Sequence, residues 1–356
     1  MLRRWVFFTL LLPFSVLYGT LIYIRNTLYD AGILKSNRFS IPVISVGNLS
    51  VGGAGKTPHI EWLTELLKDY INVGILSRGY KRRTIGFRWV SYSDHASDTG
   101  DEPLQYKRKY RDEIVVAVSE SRAFGIPMMI RQYPDLQTIL LDDAFQHREV
   151  APGLNILLTA FDHLYTRDYI LPAGRLREWP SSAKRADIII VSKCPEDHSR
   201  IDTPAIIREL HPLPQQKVFF TYYQYDYPYH LSNPSYRIRL DQKLDIILLS
   251  AIANTKYLLD YLENEAGSIH EIEFTDHHAY SQNDIDFIAK VYNNRNTERK
   301  IILTTEKDAT RLEPYKSFFT QHQIPVFILP VKVRFHFEGH TEFEKLVKDF
   351  LLEFRA

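Results

Sequence analysis

Hydrophobic residues are arranged in two different ways along this chain. From Trp5 to Ile24 they run almost unbroken, as WVFFTLLLPFSVLYGTLIYI, without a single charge. About 20 mainly apolar residues are enough for a membrane-spanning helix, so length alone permits a span. Pro13 and Gly19 interrupt a straight one, and Trp5, Tyr18 and Tyr23 suit a lipid–water boundary. No small-residue cleavage site precedes Arg25, which argues against a removable signal peptide. The expected element is a helix lying in the membrane interface, with a buried core helix as the alternative.

From residue 41 onward the pattern changes to short β-branched runs alternating with helical periodicity. IPVISVGN (41–48), VGILS (73–77), IVVAV (114–118), TILLDD (138–143), LNILLT (154–159) and ADIIIVSK (186–193) read as strands, and IEWLTELLKDY (60–70) reads as a helix. Further strand-like runs lie at 217–227, 244–252, 268–276 and 299–308, separated by helical patterns at 254–265 and 283–294. Such alternation predicts an α/β fold, a mainly parallel sheet sandwiched by helices. The polar, proline-punctuated stretches CPEDHSRIDTP and HPLPQQ suggest where a second, smaller α/β unit begins. The expected division is 1–40, 41–205 and 206–356.

Composition narrows the picture. Lys and Arg number 44 against 43 Asp and Glu, a formal charge of +1, so no overall basic field points to nucleic acid. One cysteine, Cys194, supplies neither an internal disulfide nor a thiolate cluster and fits a reducing compartment.

VGNLSVGGAGKTPHIEW carries the first chemistry. It runs from a predicted strand into a predicted helix, and Gly52, Gly53 and Gly55 let successive N–H groups turn toward phosphate oxygens. Ser50 stands where the usual G-x-x-x-x-G-K-[ST] pattern has its first glycine, with Gly47, Gly52 and Gly53 nearby. The expected nucleotide cradle is Ser50, Val51, Gly52, Gly53, Ala54, Gly55, Lys56 and Thr57. Lys56 would bridge the β- and γ-phosphates of ATP, and the Thr57 hydroxyl would ligate Mg²⁺. TILLDD ends in Asp142 and Asp143 at the edge of the sheet where ligands bind, so one or both are expected at the metal. ATP places this site in the cytoplasm. A spanning N-terminal helix would then leave Arg3 and Arg4 outside, against the positive-inside tendency, which favours a peripheral or monotopic attachment.

The ordered series VGNLSVGGAGKTP, LSRGYKR (76–82), GDEP (100–103), LDDAFQHR (141–148), LPAGRLRE (171–178), KRAD (184–187), VSKCP (191–195), FTDHH (274–278) and TTEKDATRL (304–312) resembles the tetraacyldisaccharide 4'-kinases, the lipid A 4'-kinases of Gram-negative bacteria. The likeness covers essentially the whole chain. It implies transfer of the ATP γ-phosphate to the 4'-hydroxyl of an acylated glucosamine disaccharide 1-phosphate, giving lipid IVA at the cytoplasmic face of the inner membrane. It also implies contact with membrane lipid and no obligate protein partner. Two positions depart from the family's usual pattern: Ala144 replaces a glycine, and Trp179 precedes Pro180 where proline usually follows the LRE directly.

By that resemblance Asp101 is the catalytic aspartate and His277 its histidine partner. A sugar hydroxyl attacking phosphorus must lose its proton, and an isolated carboxylate is a weak base unless a neighbour orients it. Arg78, Glu102, Gln146, Arg177 and Glu178 match substrate- or phosphate-facing positions, Arg177 best suited to a phosphate fork. KRKYR (107–111) reads as a solvated helix face, or as attraction to anionic lipid if near the membrane. Lys193 and TTEKD receive no derived role. The competing reading is a membrane-associated P-loop switch or assembly ATPase, and a kinase for a soluble sugar leaves the N-terminus unexplained.

Overall fold

The computed structural model describes residues 2–252 and 254–355, with side chains from Leu10 onward, so those of Arg3, Arg4 and Trp5 lie outside the described residues. The strands in chain order are β1 (Val43–Asn48), β2 (Val73–Ser77), β3 (Arg88–Trp89), β4 (Val115–Val118), β5 (Thr138–Asp142), β6 (Leu154–Ala160), β7 (Ile188–Ser192) and β8 (Lys217–Tyr225). They continue with β9 (Tyr229–His230), β10 (Asn233–Arg237), β11 (Asp245–Ser250), β12 (Ser268–Glu273), β13 (Lys300–Thr305), β14 (Val326–Leu329) and β15 (Val331–Phe335). The helices are α1 (Leu2–Asp30), α2 (Lys56–Leu67), α3 (Ala96–Thr99), α4 (Asp101–Tyr110), α5 (Arg122–Gln132) and α6 (Thr203–Leu210). After these come α7 (Lys256–Glu265), α8 (Gln282–Asn293), α9 (Glu306–Leu312), α10 (Lys316–Gln321) and α11 (Gly339–Glu353).

The strands form a nine-stranded sheet, β15-β8-β7-β6-β1-β5-β2-β4-β3, and a six-stranded one, β10-β9-β14-β13-β11-β12. From β8 to β4 the first sheet is parallel, closed by antiparallel β15 and β3. This is the α/β sandwich that the alternating pattern predicts. Its central strands β1, β2, β5 and β7 are buried and mainly apolar because both faces are covered. Ile44 and Val46 join Ile60, Leu63 and Ile156 on one side, while Val43 joins Ile139 and Leu141 on the other. The second sheet repeats the scheme, with Ile247 and Leu249 on one face and Ile246 and Leu248 on the other.

The sheets do not divide at 205/206. The proline-punctuated stretch holds α6 and is a crossover within the first sheet, because β8 pairs in parallel with β7, Ile188 opposite Lys217. Phe219 packs into one face's core and Phe220 into the other, so the middle of β8 is covered on both faces. The chain enters the second sheet after Tyr225 and returns at Val331 to add β15 and α11 to the first. Both crossings lie side by side, Asp226 N–H donating to Pro330 C=O at 3.1 Å. The 299–308 run also ends early: the Thr305 hydroxyl accepts from Asp308 N–H and caps α9, which stops the strand.

The N-terminal segment is helical from Leu2 to Asp30. Among the described residues no helix is long and apolar enough to cross a membrane. Ser15, Gly19 and Asn26 share one buried face, at helical spacing, while Leu10, Phe14, Leu17, Leu21 and Ile24 form an exposed stripe. A Cβ at Gly19 would meet the Trp179 ring at 2.6 Å, and Trp179 Nε1 donates to Gly19 C=O at 2.9 Å. Glu178 is fully buried beneath this helix. Its carboxylate accepts from Arg25 Nη2 (3.3 Å), Asn26 Nδ2 (2.9 Å) and Arg185 Nη2 (2.8 Å). Glu178, expected to face substrate, is here buried and bonded to α1 and Arg185, which makes it a tether for that helix.

Removing one member of a buried charged cluster leaves the others desolvated and unpaired. Glu178→Ala should therefore cost about 3 kcal/mol and release α1 first, seen as lost amide-exchange protection around residues 15–26. Unchanged protection with a raised KM would return Glu178 to the substrate.

Candidate active site

The strand-to-helix connection after β1 is built for phosphate. Gly55 sits at φ 85° as the residue before α2, and Gly52 at φ 112°, conformations that favour glycine. The loop is pinned from outside. Val51 N–H donates to Arg175 C=O at 2.8 Å and Arg177 N–H to Leu49 C=O at 2.7 Å. From within, Ser192 Oγ donates to Ala54 C=O at 2.8 Å, and His59 Nδ1 lies 2.7 Å from Gly55 C=O. Burial pulls the His59 imidazole down to about 4, so it is neutral near pH 7 and Nδ1–H can donate to that carbonyl.

Lys56 Nζ donates to Asn48 Oδ1 at 3.0 Å and lies 3.6 Å from Asp143 Oδ1. Arg177 grips Asp143 with two bonds, Nη1 to Oδ2 at 3.1 Å and Nη2 to Oδ1 at 2.8 Å. It also donates to the Asn48 carbonyl and side-chain oxygens, and Gln146 Nε2 donates to the same carbonyl at 2.9 Å. Burial pushes the Asp143 carboxyl up, but Lys56 and Arg177 overcome it and hold it well below the usual carboxylate range. Asp142 behaves oppositely. Burial, then Glu102 and Asp143, push it up to about 7. Ser77 Oγ donates to its Oδ2 at 3.3 Å, while Oδ1 is buried without a hydrogen-bond partner. That orphaned oxygen, on the strand paired with β1, whose phosphate loop leads into Lys56 and Thr57 of α2, fits a divalent cation.

Asp101 opens α4, and the packing there requires glycine twice. A Cβ on Gly100 (φ 93°) would meet Gly79 Cα at 2.9 Å, and one on Gly79 (φ 71°) would meet Thr99 C=O at 2.6 Å. Two glycines thus seat RGY against GDEP. His277, at φ 61° after β12, bonds Asp101 Oδ2 through Nδ1 at 2.7 Å, with the Tyr80 ring 5.0 Å from its own. Lys307 Nζ lies 3.1 Å from His277 Nε2 and 3.0 Å from Glu102 Oε1. Arg78 is exposed near Arg122 and His147, and burial, followed by Arg122 and Arg78, pulls His147 down to about 3. Two arginines beside an imidazole that burial has already driven neutral mark a place suited to an anion.

The family profile described as tetraacyldisaccharide-1-P 4'-kinase (LpxK) matches residues 7–351. This chain belongs to that family. The tetraacyldisaccharide 4'-kinase of Flavobacterium johnsoniae is 42% identical over 325 residues, 88% of this chain and 93% of the relative. That of Bacteroides thetaiotaomicron is 39% identical over 344 residues, 93% and 89% of the two chains. A crystal structure described as the "apo" form of LpxK from Aquifex aeolicus in complex with ATP superposes with a TM-score of 0.74 at 31% identity, covering 97% of this chain and 99% of the other. Membership decides for a kinase over a nucleotide switch.

Asp101 and His277, expected from the 4'-kinase motifs, are in direct contact, and Lys56, Asp143 and Arg177 form one cluster. Gln146, half-buried, bonds the Asn48 carbonyl beneath the phosphate loop, and Glu178 lies outside the cluster. KRKYR is not a free basic face: Lys109 bridges Glu61 (2.7 Å) and Glu306 (3.0 Å), and Arg108 donates to Thr310 C=O at 3.1 Å. Asn48, Arg122, His147, Arg311 and Lys307 escape the sequence reading. Of these only Arg122 lies outside the motifs singled out beforehand.

Because Asp142 is raised on folding, the folded protein holds its proton over a pH range where the unfolded chain has lost it. That contribution is present below about pH 4 and lost as pH rises toward 7. Asp142→Asn should therefore stabilise the nucleotide-free protein near pH 8 by up to about 4 kcal/mol, measured by denaturation. The gain should vanish near pH 4, and Mg²⁺-dependent turnover should be lost.

Proposed function

We propose that this chain performs its family's reaction, moving the γ-phosphate of ATP to the 4'-hydroxyl of a tetraacylated glucosamine disaccharide 1-phosphate in lipid A biosynthesis. The observation carrying the mechanism is the 2.7 Å bond from His277 to Asp101, which joins the second sheet's loops to the nucleotide sheet. ATP lies with its phosphates on the N–H groups of residues 50–57 and the positive end of α2. Lys56 and Arg177 neutralise the transferring group. Thr57, Asp142 and Asp143 would hold Mg²⁺, which would supply charge neutralisation at the phosphates.

Asp101 accepts the proton of the acceptor hydroxyl as the new oxygen–phosphorus bond forms and the bond to the ADP oxygen breaks. His277 orients the carboxylate. Arg78, exposed beside buried Arg122, binds an acceptor phosphate. Lys193 follows β7 with Nζ 5.2 Å from the Tyr257 ring and 5.8 Å from that of Tyr223, whose hydroxyl abuts Gly55. These two rings offer the nucleobase a stacking surface.

The apolar stripe of α1 rests in the lipid interface at the cytoplasmic face of the inner membrane, a peripheral or monotopic attachment that brings the site to acyl chains kept in the bilayer. The polar face cannot serve, since it is bonded to the protein body.

Label from γ-labelled ATP should enter the purified disaccharide acceptor and no water-soluble sugar. Asp101→Asn and His277→Ala should each lower kcat by about 10²–10⁴, with the double variant no worse than the more impaired single one. Additive losses would separate the two residues. Leu17→Glu with Leu21→Glu should reduce co-sedimentation with anionic vesicles while leaving the denaturation midpoint in place, because both side chains are exposed.

A further inference from the structure

TTEKD has no part in the chemistry above, yet it stands directly behind the dyad. Asp308 Oδ2 accepts from Ala251 N–H at 3.3 Å, and Ala251 C=O accepts from His277 N–H at 3.2 Å. From this anchored turn Lys307 reaches forward, its Nζ 3.1 Å from His277 Nε2, 3.0 Å from Glu102 Oε1 and 3.6 Å from Asp276 Oδ1. An ammonium has only protons to give. His277 Nε2 must therefore be the acceptor, and the ring's single proton lies on Nδ1, aimed at Asp101 Oδ2. Both imidazole nitrogens are committed, which leaves Asp101 Oδ1, without a partner among the described residues, for the acceptor hydroxyl.

We propose that Lys307 is a positioning residue that fixes the protonation state of the dyad, occupying His277 Nε2 so that Asp101 alone takes the hydroxyl proton. The inference rests on Asp101 being the base. The surrounding charges explain why a cation is needed there. His277 is faced by Asp101 and Glu102 from α4, by Asp276 from its own loop and by Tyr80 from the loop after β2. Lys81 Nζ reaches Asp276 C=O at 3.3 Å and Arg311 Nε lies 3.6 Å from Asp101 Oδ2, so neither occupies Nε2. Burial pulls the Lys307 ammonium down, but Glu102 and Asp276 outweigh it and keep it charged. Without Lys307, a proton is the available replacement at Nε2. The resulting imidazolium pairs with Asp101 and weakens it as a base.

The test is nitrogen-15 NMR of the imidazoles in the full chain, with His277 assigned by His277→Gln, alongside pH–rate profiles. Wild type should show the Nδ1–H tautomer at about pH 7.5, whereas Lys307→Met should show a doubly protonated ring at the same pH. The kcat of Lys307→Met should fall away at higher pH than that of wild type with KM nearly unchanged, and Lys307→Arg should restore the profile. A wild-type ring protonated on Nε2 overturns the inference without recourse to any variant. So does an unchanged tautomer in Lys307→Met, or a loss of kcat by one factor at every pH. Full activity in Asp101→Asn would instead overturn the base assignment, a separate failure.

Discussion

The guanidinium of Arg177 ties together segments that sequence separates widely. Two of its nitrogens hold Asp143 after β5 and also Asn48 at the end of β1. Its backbone N–H bonds Leu49, and its carbonyl receives the Tyr18 hydroxyl of α1 at 3.1 Å. Charge-assisted forks of this kind are strong and directional. Arg177 therefore sets the spacing of Lys56, Asp143 and the phosphate loop, and links that spacing to the N-terminal helix. Lys56 and Arg177 then offset the cost of a carboxylate held at the loop's mouth, while neighbouring Asp142 has no such partner and keeps its proton longer.

Local pattern made half of this readable. A strand, a glycine-rich turn and a helix follow one another in sequence, so the phosphate loop and Lys56 can be found without tertiary information. Asp142 and Asp143 are legible for the same reason, as the end of an apolar strand. Glu178 shows the limit. Arg177 bonds Asp143 at the phosphate loop while its immediate neighbour Glu178 bonds Asn26 of α1. A motif containing both gives no sign of the reversal. The Asp101–His277 contact spans 176 residues, and only the resemblance, not any periodicity, anticipates it. The role of β8 was hidden because a proline-rich crossover looks like a boundary when pairing partners are unknown.

The same limit applies to α1. Its residues are apolar on nearly every side, so periodicity could not separate a packed face from a free one. Packing does so with small and polar residues: Ser15 Oγ accepts from Ala173 N–H at 2.9 Å, Gly19 admits the Trp179 ring, and Asn26 meets Glu178. The bulkier residues are left on the outside. Trp179, one of the two departures from the family's usual pattern, is a direct part of that join.

The return of the chain at Val331 has a consequence for how the protein is made. β8 is bordered by β15 in the finished sheet, and Phe343 and Val347 of α11 complete one of its cores. All of these are synthesised after the entire second sheet. While the ribosome is still producing residues 229–329, the nucleotide-binding sheet has an open flank, with β8 unpaired on one side and aromatic side chains uncovered. Residues 331–353 thus act as the closing piece of a structure begun nearly three hundred residues earlier. The interval between those events is when a nascent chain is most exposed to pairing with the wrong neighbour.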